Sequence, residues 1–390
     1  MKKMLSKMDK PLLFFTILYS VFGLIMILSA SSVSAVLRYH VSTYYFFIRQ
    51  LLFIIVSFAI GIVILKLPTS KYKYFTPFLV LGILAALAGL FIYGRISNGA
   101  QSWYKIGFFN LQPTEFAKSI IIIYMAVFYD RILKKKNTNV YNYLIPIAVA
   151  IVMFLLICMQ PDFGGAVILA GITFLIFIIL PIEKNNFTRL LKFLGIALII
   201  GGIVFINSGN DFFNETQMAR FKFKEPCKRY KEDTGYQVCN GFIAMHNGGL
   251  FGVGLGNSTQ KYLYLPEAHT DFIFAIIVEE LGLIFGILVI LGYLYILYRI
   301  LRVAKKSYTL RGSILAYGTF SLIFMHLLIN FLGSLAVIPL TGVPLPLLSY
   351  GGSFTINIIM MLFVVQRVSI ENNIAREKQE MVLKKKILLK

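Results

Sequence analysis

Windows of about twenty apolar residues recur along the chain near 12–31, 47–66, 74–94, 113–130, 142–160, 164–182, 190–207, 271–298, 312–333 and 353–370. That length matches a hydrocarbon core of about 30 Å crossed at about 1.5 Å per helical residue. The pattern predicts an all-α, polytopic integral membrane protein of about ten transmembrane helices. Its one long extracytoplasmic loop covers about 208–270, its membrane domain covers 1–371, and a basic cytoplasmic tail covers 372–390. The first apolar run is followed by many others rather than by polar sequence, so it reads as a retained span and not as a removable signal peptide.

Charge fixes the expected orientation. With both termini inside, the inner segments and tail carry 26 Lys and Arg, the short outer loops and outer helix ends carry five, and the long loop carries seven. Cytoplasmic loops gather positive charge, so both termini are placed in the cytoplasm. The chain is 58% hydrophobic and 14% charged with mean hydropathy +0.78, against about half apolar and a quarter charged in soluble domains, so a soluble domain is excluded. The net charge of +21 forms a ring at the inner leaflet, which suits anionic membrane lipids and argues against nucleic acid. Cys158 falls inside a span. Cys227 and Cys239 lie twelve positions apart in the outer loop, placed either to close a disulfide or to stand as two free thiols.

The reactive side chains gather at the predicted outer face. "YLPEAHTDF" places Glu267, His269 and Asp271 at the lip of an apolar run. Asp271 reads either as a helix cap or as a carboxylate held at the water–lipid boundary, able to take a proton from a bound hydroxyl. Glu267 and His269 read as groups that orient it or meet substrate, or as turn residues. Glu279 and Glu280 lie deeper in the same run, where an acid needs a partner, and read first as polar helix contacts. In "QPTEFAK", Glu115 suits a first helical turn, whereas Lys118 opposes the helix dipole. That leaves an i,i+3 ion pair or an anionic ligand to explain it. Trp103 is an interfacial anchor or a sugar-stacking face. Arg220 and its basic neighbours suit outer headgroups or an anionic lipid-linked substrate. "GGLFGVGLGN" is too weak a pattern for a nucleotide turn and reads as a flexible or close-packed interfacial loop whose backbone N–H groups could still meet phosphate. Asp162 reads as a turn former, and the scattered His40, His246 and His326 suggest no structural metal site.

The blocks "GAQSWYKIGFFNLQPTEFAK", "QPDFGGAVIL", "GYQV", "GLFGVGLGNSTQKYLYLPEAHTDFIFAIIVEELG" and "TGVPLPLLSYGGS", in that order, resemble the SEDS (shape, elongation, division and sporulation) family. Its members include FtsW, RodA and SpoVE, and the wording before Asp271 is nearer the FtsW and SpoVE branch. The resemblance implies a peptidoglycan glycosyltransferase of the bacterial cytoplasmic membrane that polymerises lipid II on the outer face. It carries the catalytic acid onto Asp271 and groove positions onto Trp103, Glu115 and Lys118. It implies a class B penicillin-binding protein and other division-complex membrane proteins as partners, with work at the septum. A divalent cation is a candidate for offsetting charge on the leaving group, with no cofactor otherwise implied. The chain departs from the family pattern at Val238, Cys239 and Asn240, at His246 and at Ser102, which leaves individual roles in the long loop open. Two rival functions are a lipid II flippase, with Glu279, Glu280 and Asp162 as polar steps, and a non-catalytic division scaffold.

Overall fold

A computed structural model describes residues 2–97, 100–107, 109–134, 139–192, 195 and 223–388. The long helices follow the apolar windows: α1 (Lys10–Leu37), α2 (Tyr45–Lys66), α3 (Tyr72–Tyr93), α4 (Pro113–Ile132), α5 (Ile145–Cys158) and α6 (Phe163–Ile178). After α7 (Asp233–Gly248) come α8 (Ile273–Lys305), α9 (Leu310–Ser334) and α10 (Gly352–Leu388). Among the described residues, seven helical segments are long and apolar enough to cross a membrane. Two further predicted spans are helical: α6, apolar but of 16 residues, and α4, of 20 residues, whose Glu115, Lys118, Asp130 and Arg131 interrupt its apolar run. The predicted span 190–207 lies almost wholly outside the described residues. The chain is a multi-pass, all-α membrane protein.

Burial sorts the helices into layers. About nine-tenths of the most apolar stretch of α10 and two-thirds of that of α9 are enclosed by protein, against roughly a quarter for α2 and α3. Lipid can solvate an apolar side chain as well as protein can, so the outer helices keep exposed Leu, Ile and Phe. The inner helices carry the polar residues, which need protein partners. At one end of the bundle Asp9 caps α1 through Leu12 N, pairs with Arg299 of α8 at 2.7 Å and exchanges hydrogen bonds with Gln366 of α10. This staple ties three helices together at the end remote from Asp271.

At the opposite end, β1 (Arg95–Ser97), β2 (Ala100–Ile106) and β3 (Phe109–Leu111) form a small antiparallel sheet, with Trp103 of β2 opposite Arg95. The segment read as a long loop contains the ordered helix α7. A disulfide joins Cys239 on α7 to Cys227 in the preceding turn, with Cα atoms 4.9 Å apart. The α8 helix is broken at Gly282, whose φ of 88° lies in the left-handed region. Hydropathy could not reveal that break, because glycine is tolerated inside transmembrane helices.

Candidate functional site

Asp271 sits in a turn ending one residue before the Ncap position of α8, which falls on Phe272 rather than on Thr270 or Asp271. Glu267 adopts φ 55°, and its carbonyl accepts from Thr270 N and Phe272 N, which tightens the turn. Three clamps hold the main chain. Asn330 Nδ2 donates to the Asp271 carbonyl at 2.9 Å and to Val343 O at 2.7 Å, Ser349 Oγ donates to Thr270 O, and Tyr350 N donates to His269 O. All three come from the end of α9 and the segment leading into α10. The half-buried Asp271 is thus positioned through its backbone. Gly342 lies beside it, and a Cβ there would stand 3.2 Å from Asp271 Oδ2, so the glycine keeps the side of the carboxylate open.

The Lys118 ammonium lies 2.7 Å from Glu115 Oε1 and 3.0 Å from His326 Nε2, and all three side chains are buried. The ammonium can only donate, so His326 Nε2 accepts and the ring proton falls on Nδ1. His326 and Asn330 are four residues apart on α9, one turn or about 6 Å along one face. The Glu115–Lys118–His326 cluster therefore lies one helical turn beneath the Asn330 clamp on Asp271. Glu115 Oε2 is left without a partner in the protein. The expected ion pair forms, and its third member, His326, was missed because isolated histidines carry no spacing signal. A polar residue four positions from Asn330 inside a span was the available clue.

Of the other predicted residues, Asp162 lies near this cluster, hydrogen-bonded to Gln112 at the start of α4. Glu267 and His269 line a cavity of about 340 Å³ with Ser34, Arg38, Tyr39 and Lys261. The His269 ring lies 4.6 Å from that of Phe46 and 5.7 Å from that of Tyr350. Burial holds its imidazole down to about pKa 4; Glu267 opposes the drop and Arg38 adds to it. Trp103 is half-buried on β2. Asp162 caps α6 through Gly165 N and accepts from Gln112, so the expected turn former is a helix cap. Arg220 lies outside the described residues. Among the described residues no group of three His, Cys, Asp or Glu could hold a metal ion.

Because unfolded His269 protonates near 6.5 and the folded residue near 4, the unfolded chain binds the extra proton between these values. The stability held by the neutral ring is complete above pH 6.5 and is lost as pH falls toward 4. Thermal unfolding of His269→Phe is expected to depend less on pH than the parent over that window, and equal slopes would refute this.

Glu279 and Glu280 are fully enclosed and partnered, as their depth requires. Glu279 accepts from Ser258 Oγ, Thr259 N and Thr259 Oγ1. Glu280 pairs with Lys261 at 3.0 Å and accepts from Ser29 of α1. The loop that supplies Lys261, Ser258 and Thr259 leads directly into the Asp271 turn.

Comparison with known proteins places these features in context. A family model described as a cell cycle protein, for FtsW, RodA and SpoVE, matches residues 10–374. The chain is 38% identical over 377 residues to the probable peptidoglycan glycosyltransferase FtsW of Bacillus subtilis, covering 95% of this chain and 92% of that protein. It is 33% identical to the stage V sporulation protein E of the same organism, covering 93% and 96%. A chain from a peptidoglycan synthase complex that coordinates polymerization and crosslinking superposes with a TM-score of 0.73 at 21% identity, covering 94% of this chain and 98% of that one. The rod shape determining protein RodA of Thermus thermophilus superposes at 0.65 with 22% identity, covering 93% and 96%, a likeness of fold.

Proposed function

The chain belongs to the FtsW, RodA and SpoVE family of cell cycle proteins, and from this premise we propose that it is a peptidoglycan glycosyltransferase. It polymerises lipid II on the outer face of the cytoplasmic membrane, at the division septum. The observation that carries the reading is Asp271, a half-buried carboxylate fixed by main-chain clamps at the end of the bundle opposite the Asp9 staple. A substrate whose polyprenyl tail stays in the bilayer brings its sugars to that level.

In this mechanism Asp271 removes the proton from the acceptor's sugar hydroxyl as that oxygen attacks the donor's anomeric carbon with inversion. The bond to undecaprenyl pyrophosphate breaks and the leaving group takes the electron pair. Lys118, held by Glu115 and His326, supplies fixed positive charge beneath the site, and Arg220 or a divalent cation would offset charge on the diphosphate. Trp103, Glu267 and His269 provide substrate-facing surface. The membrane domain spans 1–371 and the tail 372–390 is cytoplasmic, as is the N-terminus. A class B penicillin-binding protein crosslinks the product, with other division-complex proteins and membrane lipids around the pair. The internal partnering of Glu279 and Glu280 supports polymerisation over translocation, since neither acid is left to line a path.

The test is reconstitution of purified protein with lipid II in vesicles, with and without the crosslinking partner. Glycan strands are expected. Translocated lipid II with no glycan under either condition would overturn the proposal.

A further inference from the structure

The run 249–257, "GLFGVGLGN", carries no charge and falls within the predicted outer loop. Its place in the fold is deeper. Gly282 breaks α8, which removes the helical partners of four backbone groups, and the run supplies all four. Val253 N donates to Glu279 O, Gly254 N donates to Glu280 O, Leu283 N donates to Gly249 O and Ile284 N donates to Leu250 O. The two segments cross at Gly252 and Gly282, both at positive φ. A Cβ on Gly252 would fall 2.3 Å from Glu280 O, and one on Gly282 would fall 2.3 Å from Leu250 O. Three further carbonyls are met within the run itself or by its anchor: Val253 O by Asn257 Nδ2, Gly254 O by Asn257 N and Gly256 O by the buried Lys261 ammonium.

Backbone-to-backbone pairing of this kind is what non-helical chain requires where water is absent. Depth agrees. Counting about twenty residues back from Arg299, the span of a 30 Å hydrocarbon core at 1.5 Å per residue, reaches Glu279, so the crossing at Gly282 lies inside that core. Leu250 and Phe251 are 58% and 82% exposed, and Leu250 is hydrogen-bonded to Ile284. There they continue the exposed apolar strip of α8, formed by Leu283, Ile284, Ile287, Leu288 and Leu291.

We propose that residues 249–256 are a re-entrant segment seated in the outer leaflet, with Leu250 and Phe251 in contact with the acyl chains of the bilayer. The segment follows α7 and precedes the Lys261 anchor, so the chain dips into lipid before it rises to Asp271. The inference rests on the spans and not on the enzymatic reading.

The test uses the full chain in lipid nanodiscs, with Cys158→Ala and a spin label on Phe251→Cys. Collision with oxygen, which enters hydrocarbon, is compared with collision with a polar nickel chelate. Labels on Leu288→Cys and Lys228→Cys provide the lipid and water references. Position 251 is expected to match 288, with nickel accessibility roughly tenfold or more below that at 228. Nickel accessibility equal to that at 228 would overturn the proposal. So would exclusion of both reagents, which would mean that a second copy covers the patch. Leu250→Cys repeats the measurement if Phe251→Cys does not fold.

Discussion

Asp271→Asn is expected to fold like the parent and to polymerise lipid II roughly 10²–10⁴-fold more slowly, the range a positioned general base contributes. The substitution removes the proton acceptor and keeps the main-chain clamps. Asparagine has nearly the same shape, and the clamps from Asn330, Ser349 and Tyr350 all fall on main-chain carbonyls of residues 269–271, which it leaves in place. A folding defect should therefore be small, and equal thermal unfolding of the two proteins separates lost chemistry from lost structure. Rates are compared at saturating lipid II, where a defect in the chemical step remains visible and a weaker grip on substrate does not. A variant that forms glycan at the parental rate would remove Asp271 from the mechanism, and with it the reason for placing the site at this rim.

Hydropathy was enough to locate most of the helices, because each long span must bury or lipidate about twenty apolar side chains whatever its neighbours do. The Glu115–Lys118 pair was also legible, since i,i+3 spacing puts the two on one helical face. Contacts between distant segments were not. The partners of Glu279 and Glu280 are Ser29, Ser258, Thr259 and Lys261, which come from the first helix and from a stretch that reads as surface loop. The break at Gly282 left no mark in an apolar window, although the run of glycines from Gly248 to Gly256 was visible and suggested a loop either flexible or close-packed. What the sequence could not reveal was the object packed against it, another backbone at membrane depth. His326 looked isolated for the same reason, since its meaning depends on Lys118, more than two hundred residues earlier.

The second large effect is on stability. Lys261→Met is expected to cost about 3–5 kcal/mol, the usual result of removing one partner of a buried ion pair. Glu280 is fully enclosed and would keep only the Ser29 hydroxyl, while Gly256 O would lose its donor. Pairing Lys261→Met with Glu280→Met should recover much of the loss, because two well-packed apolar side chains often replace a buried pair at little net cost. The double-mutant cycle, read from denaturant unfolding in detergent, should therefore give a coupling of a few kcal/mol. An uncoupled pair, with the two single losses adding, would mean that Lys261 and Glu280 do not meet. Activity supplies a second readout. Lys261 fastens the loop to α1 and α8 just before the chain turns to Asp271, so the single variant should lose rate while the double variant, with the strap packed again, recovers only part of it. The missing part belongs to Gly256 O, whose hydrogen bond no methionine can replace.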